Sequence, residues 1–310
     1  MPSENAITIY GGDYAHTLGI AGRHGAGVAL DYRTARVQDI FAGMLEERRF
    51  EVCEFSLANY LTLRATGQHW LTAVPVFPYR AFRHGLAVTR RESALRQLGE
   101  LAGTRIGVED YSMTAAVWFR GLLQDDYGIA PESITWVTGR RQRFPLPAGA
   151  NVETTEADLE DLVGCGALDA MLGFTLRDNA LSPAARRLRP VLADAAHEEQ
   201  AYFARTGIYP IMHCVVMRND VLDAQPALPL AICAAYAAAK AQAGERRRNA
   251  ASTAAPPQQW TSDPERFGGD PLPYGLTPDN RRVVARLATY LKQQGFIEEA
   301  ADPENLFRAV

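Results

Sequence analysis

Segments with strand and helix periodicity follow one another from the start of the chain. Residues 7–10 form a short, β-prone apolar run that ends at Gly11 and Gly12, and residues 28–32 form a second such run. Residues 37–49 instead place their apolar side chains three and four positions apart, the spacing of a helix with one buried face. This order of strand, strand and helix predicts the beginning of a βαβ fold.

The pattern continues to the end of the chain. The further predicted strands are residues 105–108, 134–138, 167–172 and 213–217, and the further helices are residues 158–163, 228–243, 278–294 and a stretch that ends near residue 127. Ser112 or Thr114 is expected to cap this last helix at its start. Residues 140–153 and 246–259 lack periodicity and are predicted to be surface loops.

Composition narrows the class of protein. The chain has 310 residues, of which 47% are hydrophobic, so it can bury a large core and has the length of about two domains. Its 32 basic and 36 acidic residues leave a net charge of -4, which provides no general attraction for nucleic acid or for an anionic membrane. Because no apolar window of about 18 residues occurs, a membrane-spanning helix is not expected. Residues 1–10 lack the basic and apolar segments of a signal peptide, which predicts a cytoplasmic protein.

One short segment suggests a binding site for an anion. An apolar run at residues 74–77 is followed by Arg80, Arg83 and His84 within five positions. A guanidinium binds a carboxylate through two parallel hydrogen bonds, and a neighbouring histidine can transfer a proton near neutral pH. The segment predicts a site for a planar carboxylic acid. Two arginines paired with surface acids and one structural histidine are the alternative.

Six segments, in order along the chain, carry a resemblance to a known family. They are GDY at residues 12–14, EFSLANY at 54–60, FPYRAFRH at 77–84, MTAAVWFRG at 113–121, TGIYPIMH at 206–213 and LPYG at 272–275. These segments are spread over nearly the whole chain, and together they resemble the 4,5-dihydroxyphthalate decarboxylase family.

The resemblance implies a fold and a domain division. The family is similar in fold to the type II periplasmic solute-binding proteins, which are α/β proteins of two lobes with a ligand cleft between the lobes. On this basis residues 1–98 and 205–310 are expected to form a discontinuous first lobe, and residues 99–204 the second lobe. Because one fold can serve both functions, a non-catalytic binding protein for an aromatic or other small carboxylate stays open as the alternative.

The activity that the resemblance implies is the non-oxidative decarboxylation of a hydroxylated aromatic acid. Its expected form is the conversion of 4,5-dihydroxyphthalate to 3,4-dihydroxybenzoate (protocatechuate) and carbon dioxide. Direct loss of carbon dioxide would leave an aryl carbanion whose charge is orthogonal to the ring π system. Protonation of that ring carbon by a general acid, assisted by electron density from a para phenolate, avoids this species.

Four residues are expected to bind the substrate under this interpretation. Arg80 and Arg83 are expected to hold the carboxylate that stays on the ring. Thr114, at the start of a helix, is a candidate for a second clamp, because unpaired N–H groups at a helix start favour a bound anion. Ser56, within the matching segment 54–60, is a further candidate.

Three histidines are the candidates for proton transfer. His84 is expected to be the general acid, a role typically worth about 10²–10⁴-fold in rate. His16 and His213 are expected to deprotonate or polarise the catechol, with Asp13 orienting one of them. For each histidine, a structural role with a hydrogen bond to the backbone is the alternative.

No cofactor is firmly implied by the sequence. A divalent metal held by His16, His84 and His213 is an open alternative, since imidazole suits zinc and other first-row metals. Motifs typical of flavin, nicotinamide or pyridoxal phosphate sites and of a serine nucleophile elbow do not occur. The expected partner is a small aromatic dicarboxylate rather than nucleic acid or membrane, and the chain is a candidate homo-oligomer.

Overall fold

The computed structural model describes residues 6–140, 142–249 and 269–308. The chain divides into two compact units. The first takes residues 1–81, 211–285 and 301–310, and the second takes residues 82–210 and 286–300. The lobe boundaries predicted from the sequence, after residues 98 and 204, are not the same as these unit boundaries and stay predictions.

Strands and helices are distributed over both units. The strands in the described ranges are β1 (Ile7–Gly11), β2 (His24–Gly25), β3 (Val28–Thr34), β4 (Val52–Ser56), β5 (Leu71–Val74), β6 (Ala87–Arg90), β7 (Arg105–Gly107), β8 (Thr135–Gly139), β9 (Val152–Thr155), β10 (Ala170–Leu172), β11 (Leu188–Pro190) and β12 (His213–Arg218). The α-helices are α1 (Val37–Glu47), α2 (Leu57–Ala65), α3 (Thr114–Tyr127), α4 (Leu159–Gly164), α5 (Ala195–Thr206), α6 (Asn219–Ala224), α7 (Leu228–Asn249) and α8 (Pro278–Gln293). Within the described residues, no helix combines the length and the apolar character needed to cross a bilayer.

The sheet of the first unit has the order β2-β3-β1-β4-β12-β5. Strand β1 is parallel to β3 and to β4, whereas β12 is antiparallel to both β4 and β5. Apolar side chains of β1, β3, β12 and α7 form one core beside the sheet. The strand order brings the carboxyl ends of β1 and β4 and the amino end of β12 to one edge of the sheet, and this edge carries the candidate site.

The sheet of the second unit has the order β11-β6-β10-β7-β8-β9. Strands β10, β7, β8 and β9 are parallel, and β6 runs antiparallel to β10 and to β11. Helix α3 follows β7 and is buried along most of its length, including Trp118, Phe119 and Arg120. The alternation of strand and helix predicted from the sequence is therefore present in this unit as well.

Three details of the predicted elements are wrong: the start of α3, the end of α7, and the end of the predicted loop 140–153, whose last two residues belong to β9. Met113, not Ser112 or Thr114, is the residue before α3, and its side chain makes no capping bond. The Ser112 hydroxyl instead donates to Oδ1 of Asp110 at 2.6 Å. Helix α7 continues to Asn249 rather than ending at residue 243, because the last turns contain Glu and Arg, which are good helix formers. The rest of the predicted loop, residues 250–259, lies outside the described residues, as does residue 141 of the other loop.

Gly121 of α3 allows a close helix contact inside the second unit. A β-carbon at this position would lie 2.4 Å from ring atoms of Tyr290, whose hydroxyl donates to Asp125. Alanine normally stabilises a helix relative to glycine, yet we expect Gly121→Ala to lower the free energy of unfolding by about 1–3 kcal/mol through overpacking. Urea unfolding measures this difference. Gly139→Ala, where no atom lies within 4 Å of the added carbon, is the control, and an equal effect of both substitutions would contradict the prediction.

Candidate active site

Antiparallel pairing of β4 with β12 brings Glu54 and His213 together. His213 is opposite Ser56 in the ladder, and Glu54 lies two residues before Ser56, so the three side chains share one face of the sheet. Nδ1 of His213 is 2.5 Å from Oε1 of Glu54. The Glu54 side chain is fully buried, whereas 12% of the His213 side chain is exposed. The result is a carboxylate–imidazole pair that solvent reaches through the imidazole only.

Glu54 receives hydrogen bonds from three donors. The backbone N–H of Gly12 donates to Oε2 at 2.7 Å, and the Tyr14 hydroxyl donates to Oε1 at 2.8 Å, in addition to the bond with His213. Burial by itself would raise the pKa of Glu54. The bond and charge of His213 and the donors Gly12 and Tyr14 outweigh burial and hold this pKa below its usual value. Glu54 is therefore an ionised carboxylate. Because a carboxylate only accepts hydrogen bonds, Nδ1 of His213 carries the hydrogen between the two groups. Nε2 is then the ring nitrogen of His213 that can exchange a proton with another molecule.

Aromatic rings hold the imidazole of His213 in place. The centre of the Tyr79 ring is 4.9 Å from the centre of the His213 ring, and Phe41 packs edge-on against His213 at the same distance. Tyr79 also stacks nearly parallel to Tyr14, with 6.0 Å between ring centres. The backbone that carries the ring is held in place too. His213 is the first residue of β12, and the N–H of the preceding residue, Met212, donates to the Tyr79 carbonyl. These contacts leave His213 little rotational freedom.

His16 lies near this pair but has a different protonation state. Its Nε2 is 2.9 Å from the carbonyl oxygen of Pro78, and its ring stacks on Tyr14 with 5.2 Å between centres. Since a carbonyl can only accept, Nε2 carries the hydrogen. Burial lowers the pKa of His16 to about 4. At neutral pH His16 is therefore uncharged and is suited to accept a proton at Nδ1 rather than to donate one.

The low pKa of His16 predicts a loss of stability in acid. The ordinary pKa of histidine is 6.5, and that of His16 in the folded protein is about 4. As the pH falls from 6.5 to about 4, the unfolded chain therefore binds a proton at His16 that the folded protein does not bind. The free energy of unfolding should therefore fall across this window, with His16 contributing about 1–3 kcal/mol. Urea unfolding at a series of pH values measures the slope. We expect a shallower slope for His16→Gln and the original slope for His69→Gln, whose side chain is exposed. Equal slopes for the unmodified protein and His16→Gln would contradict this explanation.

The roles expected of Asp13 and Ser56 stay predictions, and the structure shows other contacts at both places. The carboxylate that orients His213 is that of Glu54, and Asp13 is exposed at the end of the first strand. Ser56 is buried and precedes helix α2, where its hydroxyl accepts the backbone N–H of Asn59 at 3.4 Å. Ser56 therefore caps a helix, and its role in substrate binding stays a prediction.

Arg80 is directed into the first unit. Its Nη2 donates to Oδ1 of Asn280 at 2.5 Å and to the Pro273 carbonyl at 3.1 Å, and its guanidinium lies 5.7 Å from the centre of the Phe77 ring. Asn280 in turn donates to the carbonyls of Pro273 and Gly275. These bonds connect the segment after β5 to the loop before α8. Arg80 thus has a structural function that its sequence context did not indicate, and its function as a carboxylate clamp stays a prediction.

Three of the predicted site residues belong to the second unit. Arg83 is buried beside Phe174, and Thr114 is the buried first residue of α3. His84 is buried against the ring of Tyr202, and burial, assisted by the charge of Arg205, lowers the pKa of His84 to about 4. His84 is therefore neutral near pH 7, which is unfavourable for the expected role of general acid.

The metal site that the sequence left open, with His16, His84 and His213 as ligands, stays a prediction. Nε2 of His16 faces the Pro78 carbonyl, Nδ1 of His213 faces Glu54, and the His84 ring packs against Tyr202. Among residues 6–140, 142–249 and 269–308, no group of three or more His, Cys, Asp or Glu is arranged to hold a metal ion. The ring nitrogens of His16 and His213 that these contacts occupy are bonded to a backbone carbonyl and to a carboxylate.

Glu54 is the main residue that the sequence-based reasoning missed. It is a single carboxylate inside the apolar strand Val52–Ser56, where an unpaired charge would be costly. A charged residue within such a strand indicates a buried partner, and perturbed carboxylates of this kind are frequent at functional sites. That signal was available within the matching segment 54–60.

Comparison with known proteins supports the resemblance of the sequence. No protein-family model matches the chain. A 4,5-dihydroxyphthalate decarboxylase of Comamonas testosteroni is 27% identical over 284 residues, which cover 87% of this chain and 86% of the relative. A 4,5-dihydroxyphthalate decarboxylase of Pseudomonas putida is 36% identical over 146 residues, which cover 44% of this chain and 57% of the relative.

A solved structure shows the fold. The alkanesulfonate-binding protein SsuA from Xanthomonas axonopodis pv. citri, bound to MOPS, aligns over 100% of both chains with a TM-score of 0.58 and 12% sequence identity. At this identity the similarity concerns the fold alone, and it confirms the predicted periplasmic-binding-protein-like α/β fold. The chain is therefore similar in sequence to two proteins named 4,5-dihydroxyphthalate decarboxylase, and it has the fold of the periplasmic binding proteins.

Proposed function

We propose that the protein is a carboxy-lyase that removes one carboxylate from a hydroxylated aromatic diacid, with 4,5-dihydroxyphthalate as the first substrate to test. The observation that carries this proposal is the pair of Glu54 and His213, a buried carboxylate bonded to a partly exposed imidazole. Such a pair can stabilise an imidazolium and deliver its proton in a fixed direction. The relatives named 4,5-dihydroxyphthalate decarboxylase supply the identity of the substrate to test.

In the proposed reaction, His213 is the general acid. The phenolic hydroxyl para to the departing carboxylate loses its proton, and its electron pair moves through the ring to the carbon that bears the carboxylate. Nε2 of protonated His213 gives its proton to that carbon. The carbon–carboxylate bond then breaks, its electron pair restores the aromatic ring, and carbon dioxide leaves. Glu54 keeps its negative charge throughout and stabilises the protonated state of His213.

The other histidines have different proposed roles. We assign the proton donor to His213 rather than to His84 because burial leaves His84 uncharged near neutral pH. His16 is uncharged as well, and with its Nε2–H directed at Pro78 it is the candidate base for the phenolic proton. Arg80, Arg83, Thr114 and Ser56 stay predicted contacts of the substrate carboxylates.

The decisive experiment is incubation of the purified protein with 4,5-dihydroxyphthalate in deuterium oxide. We expect release of carbon dioxide and formation of 3,4-dihydroxybenzoate with one deuterium at the position of the lost carboxylate. Phthalate, which lacks the hydroxyl groups, is the matched control and should bind without turnover. Binding of both acids without release of carbon dioxide would favour a non-catalytic carboxylate-binding protein. Absence of both binding and turnover would remove aromatic diacids as ligands.

Location and assembly are part of the same proposal. A decarboxylase that acts on an imported aromatic acid would work in the cytoplasm, which fractionation of cells that express the protein can test. A homo-oligomer stays a prediction of the sequence, and the mass of the purified protein in solution tests it.

A further inference from the structure

Two donors share one oxygen of the buried carboxylate. Oε1 of Glu54 accepts the Tyr14 hydroxyl at 2.8 Å and faces Nδ1 of His213 at 2.5 Å, while Oε2 accepts the N–H of Gly12 at 2.7 Å. A carboxylate with a single partner can rotate about its last bond. With donors fixed on both oxygens, the direction in which Glu54 presents Oε1 to His213 is fixed as well.

The position of the Tyr14 hydroxyl is itself determined by its neighbours. One face of the Tyr14 ring is stacked near His16 and the ring is also nearly parallel to Tyr79. The tip of the ring lies against Gly12, where a β-carbon would be 2.4 Å from Cζ and 2.6 Å from the hydroxyl oxygen of Tyr14. Tyr14 therefore reaches Glu54 only because residue 12 has no side chain. A donor held so closely in a chain of contacts that ends at His213 has the geometry of a supporting group in a catalytic site.

We infer that Tyr14 is a positioning residue for proton transfer by His213, acting through Glu54 and without contact to the substrate. This inference rests on the proposed function for its catalytic part. It also makes a statement about the molecule that needs no substrate: the protonation equilibrium of His213 is coupled to the Tyr14 hydroxyl through one shared carboxylate oxygen. When the Tyr14 hydroxyl is removed, Oε1 of Glu54 has one hydrogen-bond donor fewer. The negative charge of Glu54 then interacts more strongly with His213, which favours the protonated imidazolium.

Other titratable groups surround the pair and have to be considered in any pH experiment. Those that interact with Glu54 or face His213 are Tyr14, His16, Tyr32, Cys53, Tyr79, Cys214, Tyr236 and Tyr274. Burial raises the pKa of the tyrosines 14, 32, 236 and 274 and of both cysteines, and it lowers the pKa of His16 to about 4. Between about pH 5 and pH 8 none of these shifted groups is expected to change charge, so none of them should contribute to a pH-dependent change in this range.

The test uses Tyr14→Phe, which keeps the stacked ring and removes only the hydroxyl. We expect kcat for 4,5-dihydroxyphthalate to fall about 10-fold while KM stays within about threefold, because a hydrogen bond to a charged group is lost at a residue that does not touch substrate. The alkaline limb of the kcat profile should move to higher pH by about half a unit or more. Nitrogen NMR of the His213 ring, without substrate, should show its titration midpoint moving in the same direction. The protein has six histidines, and the spectrum of His213→Gln identifies the signal.

A matched control and a second variant separate positioning from general damage. Tyr60→Phe removes another buried tyrosine hydroxyl of the first unit. This hydroxyl donates to the Leu306 carbonyl and not to Glu54. The substitution should therefore change neither the His213 signal nor the pH profile of kcat. Gly12→Ala keeps the N–H that binds Glu54 but displaces the Tyr14 ring, so it should shift the His213 titration as Tyr14→Phe does.

The outcomes distinguish this inference from the proposed function. If Tyr14→Phe lowers kcat without moving either the pH profile or the His213 signal, the hydroxyl has a structural role only, and the inference is overturned. An unchanged kcat in Tyr14→Phe overturns it also. If the unmodified protein turns over no hydroxylated aromatic acid while the His213 signal still moves in Tyr14→Phe, the proposed function fails and the coupling between Tyr14 and His213 stands.

Discussion

Replacement of His213 by glutamine is expected to lower kcat for decarboxylation by about 10²–10⁴-fold, the range typical of a lost general acid. Glutamine has a similar reach and can form hydrogen bonds, but it cannot deliver a proton near neutral pH. Because the substrate carboxylates are predicted to bind elsewhere, affinity for phthalate should change little. Steady-state kinetics with 4,5-dihydroxyphthalate and calorimetric binding of phthalate measure the two quantities separately.

Three other histidine variants make this experiment specific. His69→Gln alters an exposed histidine of the same unit and should retain full activity. His84→Gln tests the expectation from the sequence that His84 is the general acid. We expect this substitution to lower kcat far less than His213→Gln does. His16→Gln should lower kcat if His16 accepts the phenolic proton. Full turnover by His213→Gln would remove this residue from the mechanism, and a larger loss in His84→Gln would return the acid role to His84.

Replacement of Glu54 by glutamine is expected to have the second large effect. The amide keeps the shape of the side chain, yet it removes the negative charge that stabilises protonated His213. It also places an NH₂ group against either the N–H of Gly12 or the N–H at Nδ1 of His213, where a donor would meet a donor. We expect kcat to fall by about 10²–10⁴-fold, as for neutralisation of the carboxylate in other carboxylate–histidine pairs. The free energy of unfolding should fall by about 1–3 kcal/mol, because a buried polar group loses its partner.

The two effects of Glu54→Gln have to be measured on the same preparation. Urea unfolding gives the stability, and kinetics at a temperature well below the unfolding transition gives kcat for the folded fraction. Glu47→Gln, at an exposed carboxylate of the same unit, is the control and should change neither quantity strongly. Normal turnover by a folded Glu54→Gln protein would show that the buried carboxylate serves stability alone.

Local sequence pattern was sufficient for the elements that bury a single face. The predicted strand at residues 7–10 is Ile7–Gly11 in the structure, and the predicted helix at residues 278–294 is Pro278–Gln293. Periods of two and of 3.6 residues arise from backbone geometry, so they can be seen without knowledge of any distant contact. The helix at Leu228–Asn249 was extended beyond its predicted end because charged residues continue a helix as readily as apolar ones do.

The candidate site shows what pattern could not supply. Glu54 and His213 are separated by 159 positions, and they meet only because β12 enters the sheet between β4 and β5 in the antiparallel direction. Nothing in the residues of either strand specifies that partner or that register, since many apolar strands would fit the same edge. The sequence therefore identified His213 only as one of three candidate histidines for proton transfer, and it assigned no role to Glu54.

The sequence by itself determined the α/β class, the order of the elements and the resemblance to the 4,5-dihydroxyphthalate decarboxylases, because each of these depends on residue types at local spacing. Only the tertiary structure decided which histidine has a carboxylate partner, and which are buried and neutral. His16 and His84 look as suitable for proton donation as His213 in the sequence, but burial lowers the pKa of both to about 4. Protonation depends on the solvent and charge around a group, and that environment is assembled from residues far apart in the chain.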